Sequence, residues 1–163
     1  MNRSQLTVGS YYNLNKRGNQ IAADRLNDLL SDYNIFNQNV KGFYWNFLGS
    51  DYFGIRQKFE NLSFKLSQDI DRLAVGIVLT GYIPVHSYSE YIKFSSHIEI
   101  TGIGSSEENV TKVVKGINQL LMATRRIILD EENAVDIESE KLLRQFAIEL
   151  ENELWVFTML SKY

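Results

Sequence analysis

Cysteine is absent from the 163 residues, proline occurs once, at Pro84, and histidine only twice, at His86 and His97. Without cysteine there is neither a disulfide scaffold nor a thiolate metal site, and the composition suits a reducing cytoplasm. No segment approaches the ~20 apolar residues of a membrane span, and the first 20 residues have no apolar run of the signal-peptide kind. A soluble, cytoplasmic chain without a membrane partner is the expectation. A formal charge of −3 and a pI near 5.4 count against a surface devoted to nucleic acid, because phosphate binding needs clustered Lys and Arg. Phosphate loops, nucleophilic triads and zinc motifs have no counterpart here, and neither repeats nor low-complexity stretches occur. What remains is a chain of one domain's size, long enough to hold a core without metal or disulfide staples.

Apolar residues are plentiful, and their spacing is helical. Leu26, Leu30, Tyr33, Phe36, Val40, Tyr44 and Phe47 recur at three- and four-residue steps from Ile21 to Phe47, one face of an amphipathic helix. Gly49 and Asp51 interrupt the period, with Asp51 a candidate N-cap. A second stripe runs through Ile55, Phe59, Leu62, Leu66, Ile70, Leu73 and Ile77 to Gly81, which can supply a left-handed stop. Residues 81–106 hold the proline and three glycines and form a long connection, within which the Ser87/Glu90 pair can start a short helix, Tyr88 to Phe94. Ser105 and Glu108 repeat that capping signature before a third long stripe, Val110 to Ile128. A fourth helix is expected from Ile137 to Leu160, behind an acidic start. Two short turns and one long crossover predict an all-α, antiparallel four-helix bundle of ferritin-like topology. Residues 1–20, with Arg3, Lys16 and Arg17 and no acid, read as a flexible basic arm outside the bundle of 21–163.

Tyr44-Trp45-Asn46, Gly49 and Phe53, the helix through Glu60 and Asp71 to Gly81, Pro84-Val85-His86, Ser89-Glu90-Tyr91 and the closing Glu151 to Trp155 segment together resemble the Dps family of mini-ferritins. The resemblance implies a cytoplasmic, dodecameric shell that oxidises iron at two-fold interfaces, stores it inside and protects against oxidative stress, often shielding DNA. It also implies an iron centre with a histidine before the Trp-Asn pair, then a His and an Asp four residues apart, then an Asp and a Glu four residues apart. Those positions hold Tyr44, Arg56, Glu60, Asp71 and Val75. Only Glu60 and Asp71 keep a carboxylate, so a ferroxidase, and iron as its cargo, rest on the resemblance alone. Glu60 and Asp71 lie about 16 Å apart along one helix, so a shared ion would need two subunits. A guanidinium at Arg56 could take the ion's place between Glu60 and a partner's Asp71.

Each feature has a plainer reading. Arg56 and Glu60 have the spacing of an ordinary exposed helix pair, and Tyr44 that of a packed side chain with a polar tip. His86 and His97 read as surface or satisfied histidines. The acidic group Asp130, Glu131, Glu132, Asp136 and Glu138 reads as a solvated helix junction, although in the resembling family such a region lines cation pores, which makes Asp130 and Asp136 pore candidates. The helix-interior glycines Gly42, Gly76 and Gly116 point to close helix approach. Rival functions are an active mini-ferritin with a non-standard centre, a shell subunit that co-assembles with an active paralogue, and a structural protein holding DNA weakly through Arg3, Lys16 and Arg17.

Overall fold

In the computed structural model, residues 20–48, 53–102 and 104–162 are described. Arg3, Lys16, Arg17 and most of the expected arm lie outside them, as do Gly49 and Asp51. Five helices follow one another: α1 (Gln20–Trp45), α2 (Gly54–Leu79), α3 (Tyr88–Phe94), α4 (Ser106–Ile128) and α5 (Ile137–Leu160). The brief apolar alternation at Ile98 to Ile100 stays irregular, because Asn39 on α1 takes up its backbone instead. The Asn39 amide donates to Ile98 O and accepts from Ile100 N, both at 2.9 Å.

The helix ends follow from local chemistry. Ser105 and Glu108 form a complete capping box on α4, and the Asp136 side chain accepts from the Glu138 and Ser139 amides at the start of α5, satisfying N–H groups that have no partner inside the helix. At α3 the Ser87 hydroxyl donates to the Glu90 carboxylate at 2.6 Å rather than accepting from the helix backbone. The α2 helix closes on Gly81, whose φ of 89° lets its N–H reach Val78 O while Tyr82 N–H reaches Ile77 O, a Schellman closure that a Cβ would strain. Its other end has no side-chain cap: Phe53 occupies that position in helical geometry.

The stripes meet in one core. Tyr33, Phe59, Phe146 and Phe157 are fully buried beside Leu30, Leu66, Ile117 and Leu120. The Phe59 ring from α2 stacks on Phe157 from α5 at 5.8 Å, and Tyr33 from α1 meets Phe146 from α5 at 5.6 Å. Aromatic pairs of this kind add about 0.5–1.5 kcal/mol to their burial. One glycine lets two helices close: a Cβ on Gly116 would fall 2.1 Å from the Phe36 ring, so only a bare backbone fits under it. At Gly76 the added Cβ would sit a tight 3.3 Å from Leu142, whereas at Gly42 nothing lies within 4 Å, and close approach does not explain that glycine.

The crossover is held along α1 by three buried polar residues. Asn27 donates to Ile83 O at 3.2 Å and accepts from Val85 N at 2.7 Å. Asp32 accepts from the Ser95 hydroxyl at 2.9 Å and from both the N–H and the hydroxyl of Ser96. Asn39 takes the next turn, as above. The connection thus runs beside α1 from its beginning towards its end, making α4 parallel to α2 and antiparallel to α1. These bonds account for the buried polar backbone of the long loop, which would otherwise cost stability.

Candidate functional site

The last turn of α1 and the first turns of α2 bring Tyr44, Arg56 and Glu60 together. Arg56 Nη1 lies 3.1 Å from Glu60 Oε2, and its guanidinium carbon sits 5.6 Å from the centre of the Tyr44 ring. Trp45 packs edge-on against Tyr44 at 5.8 Å and is otherwise exposed. Arg56 and Glu60 are partly exposed, so charge pairing and contact with the ring face position the guanidinium without removing it from water.

Asp71 and Val75 lie on the same helix, nearer its end, and both face solvent. They line a recess of about 450 Å³ with Leu79, Leu142 and the Asp136 cap. One chain therefore divides the five positions into a Tyr44–Arg56–Glu60 group and an Asp71–Val75 group, as the helical spacing requires.

The remaining sequence candidates are engaged in folding contacts. Asp130 pairs with Arg25 from α1 and accepts from Asn133 N at 3.1 Å, tying the end of α4 to the start of α1. Burial alone raises the Asp136 pKa, but hydrogen bonds from Ser139 and Glu138 outweigh it and hold the carboxyl below its ordinary value. His86 is exposed and its Nδ1 lies 3.2 Å from Pro84 O. His97 departs from the expectation of a surface or satisfied histidine: it is 8% exposed, packs on Phe36 at 5.3 Å, and its Nε2 finds no hydrogen-bond partner. The clamps at Asp32 and Asn39 pull the crossover against α1, and this residue goes under with it.

Helical spacing alone gave no warning of a second arginine cluster, between α2 and α5. Arg72 Nη1 lies 2.8 Å from Asp69 Oδ1 and 3.2 Å from Glu149 Oε2, with the guanidinium 4.8 Å from the centre of the Phe146 ring. Asp69 is buried, and burial together with the like charge of Glu149 outweighs Arg72 and lifts its carboxyl to about 6. A groove of about 360 Å³ covers this cluster, with the Lys65–Glu153 ion pair on its walls. An Asp and an Arg three residues apart were visible in the sequence, but the partner that gives them meaning is 77 residues away.

A family model of the ferritin-like domain matches residues 23–162. An uncharacterised protein of Haemophilus influenzae is 33% identical over 135 residues, 83% of this chain and 84% of that one. A DNA protection during starvation protein of Porphyromonas gingivalis is 30% identical over 142 residues, 85% of each chain. The chain belongs to the Dps branch of the ferritin-like family. Among solved structures, the Dps protein of Vibrio cholerae O1, described as a ferritin-like diiron-carboxylate protein, superposes with a TM-score of 0.82 at 31% identity, covering 86% of this chain and 89% of that one.

At the five positions that the resemblance marks, the side chains differ from the imidazole and carboxylate set it implies. A ferrous or ferric ion asks for imidazole and carboxylate donors. Here Val75 offers no donor atom, Arg56 brings a cation, and Glu60 already meets that cation. Among the described residues no three His, Cys, Asp or Glu side chains gather where a metal ion could be held. No helix there is long and apolar enough to cross a membrane.

Proposed function

We propose that the chain is a cage-forming mini-ferritin subunit whose iron-oxidation centre is degenerate, the Arg56 guanidinium standing in for the metal. The observation that carries this reading is the 3.1 Å contact from Arg56 Nη1 to Glu60 Oε2, with the guanidinium against Tyr44. In a dodecamer with the seams of the resembling family, this group would meet the partner subunit's Asp71, and one arginine fork would face two carboxylates. A fixed cation there repels a second cation and occupies the lone pairs that an ion would need. The shell then serves as a cytoplasmic container that takes up iron slowly through inner-surface carboxylates, with Asp130 and Asp136 beside its entry routes. Its contribution to protection against oxidants would be containment rather than rapid oxidation.

Anaerobic titration with ferrous iron followed by oxygen uptake tests the reading. Slow oxidation without a rapid phase is expected. Rapid oxidation with about two irons bound at each interface site, the stoichiometry of a di-iron centre, would overturn it. Restoring the donors together, as Tyr44→His, Arg56→His and Val75→Glu, should create the rapid phase in an otherwise intact shell. Native mass spectrometry reads the number of subunits in the same preparation and reveals any second kind of subunit.

A further inference from the structure

The outer face of α2 carries large apolar side chains in a row. Phe53, at its start, is 87% exposed, Phe64 66%, Val75 57% and Leu79 46%. Phe53, Phe64 and Val75 follow one another at eleven-residue steps, about three helical turns each, and Leu79 stands one turn further on. Gln57, Asn61, Gln68 and Asp71 fill the turns between them and are exposed too. The 3.1 Å bond from Gln57 Nε2 to Asn61 Oδ1 runs along the same line. Apolar side chains scattered singly over a surface need no explanation, whereas a row about 39 Å long on one helix marks a contact face.

The row ends in a hollow. Val75, Gly76 and Leu79 from α2 meet Leu142 from α5 around the recess of about 450 Å³, with Asp71 and Asp136 on its walls. Gly76 belongs to the fit, because a Cβ there would press on Leu142 at 3.3 Å. Within one chain Phe53 cannot reach this hollow, since 26 residues of the same helix, about 39 Å, lie between Phe53 and Leu79.

The row is also self-complementary. Turned end for end about residue 66, every position in it falls on another: 53 on 79, 57 on 75, 61 on 71 and 64 on 68. A second copy laid on in that sense brings Phe53 to the partner's Leu79 and so to the mouth of the hollow. The Asn61 amide comes before the partner's Asp71, a carboxylate with no hydrogen bond or ion pair among the described residues of its own chain. The two Phe64 rings fall on either side of the axis. Beside the row, Glu60 comes opposite the partner's Arg72, so the end that carries Arg56 and Glu60 faces the end that carries Arg72 and Asp71, with charges of both signs on each. Equivalent sides of this kind are what an isologous contact between two copies requires.

We infer that α2 pairs with α2 of a second copy, antiparallel about residue 66, and that the Phe53 ring of each copy seats in the other's hollow between Val75, Leu79 and Leu142. The inference rests on the cage reading above and adds to it the register of the seam and the side chain that locks it. The hollow is incomplete in one chain and is filled only by the partner.

The chain has no cysteine, so engineered thiols report on the seam without background. In assembled full-length protein, the Phe53→Cys/Leu79→Cys variant treated with a short bis-maleimide should give covalent dimers on a denaturing gel. Neither single variant should link, because two copies of one position lie about 39 Å apart along the paired helices. Phe53→Asp, a change at an exposed side chain, should keep the helical circular dichroism of the parent. It should raise the concentration at which the assembly dissociates by about tenfold or more in analytical ultracentrifugation, while Phe53→Leu stays near the parent. The inference is overturned by a double variant that links no better than its singles, by linking of the Phe53→Cys single variant, as a parallel pairing would give, or by an assembly that Phe53→Asp leaves unchanged. The Arg56 reading fails separately: rapid iron oxidation in a protein that does form the Phe53–Leu79 link removes that reading and keeps the seam, whereas slow oxidation without the link does the reverse. A chain that stays monomeric removes both.

Discussion

Two arginines on α2 each face carboxylates and an aromatic ring, yet they do different work. Arg72 joins α2 to α5 through the buried Asp69 and through Glu149, with its cation against Phe146. Arg56 pairs with Glu60 one turn along its own helix and lies against the ring of Tyr44 from α1. Breaking a buried pair leaves a charge that water cannot reach, whereas an exposed i,i+4 pair exchanges one solvated arrangement for another. The first arrangement is therefore tied to stability, and the second is available for something other than folding. That difference is why the Arg56 group, and not the more elaborate Arg72 group, carries the functional proposal.

The largest effect is expected from Arg72→Leu. Asp69 and Glu149 would face each other without a cation, and about 2–3 kcal/mol of stability should be lost, less than for a fully buried pair because the arginine is one-third exposed. Thermal or urea denaturation at neutral pH reads this. Adding Asp69→Asn should restore most of the loss, since the charge left behind is then gone. If the single variant melts with the parent, the two arginines are alike and the comparison breaks.

An effect of similar size separates the clusters by pH. Asp69 has a folded-state pKa of about 6, above the ordinary carboxyl value of 3.8. Below about 4 the group is protonated both folded and unfolded and carries no pH-dependent penalty. Between about 4 and 6 the folded chain holds the proton more tightly, so stability from this group falls as pH rises and then levels off, by about 3 kcal/mol at most. Melting temperature against pH should therefore show a downward component across that window, and Asp69→Asn should remove it. An unchanged profile in the variant would mean that Glu149 or another acid holds the proton.

The sequence made the five helices legible because their signals are local. The stripes fix which faces are buried, Ser105 with Glu108 fixes one helix start, Asp136 another, and Gly81 a helix end. The Arg56–Glu60 pair follows from the same arithmetic, because a four-residue step on a helix leaves little freedom, whereas Tyr44, on α1, joins it in the sequence only through the family resemblance. What stayed hidden depends on pairs distant in the chain. Asn27, Asp32 and Asn39 look like polar interruptions of an apolar stripe until the crossover lies against them. His97 reads as a loop histidine until those clamps draw it under Phe36. Asp69 and Arg72 need Glu149, which periodicity cannot bring to them.

The smallest effect is the one that isolates function from fold. Replacing Arg56 by methionine keeps a long, flexible side chain over Tyr44 and removes the charge together with the N–H donor to Glu60. Because the pair it breaks is partly solvated and confined to one helix turn, stability should change by less than about 0.5 kcal/mol. The difference should appear instead in cation binding, since Glu60 no longer meets a fixed positive charge. Divalent cations such as zinc, which do not change oxidation state, should bind the assembled variant more tightly than the parent in equilibrium titration, while the two melt together in metal-free buffer. Val75 still supplies no donor in this variant, so the gain should stay modest, and adding Val75→Glu should enlarge it. A variant that melts well below its parent would move Arg56 into the class of Arg72, and its position beside Glu60 would then serve the fold.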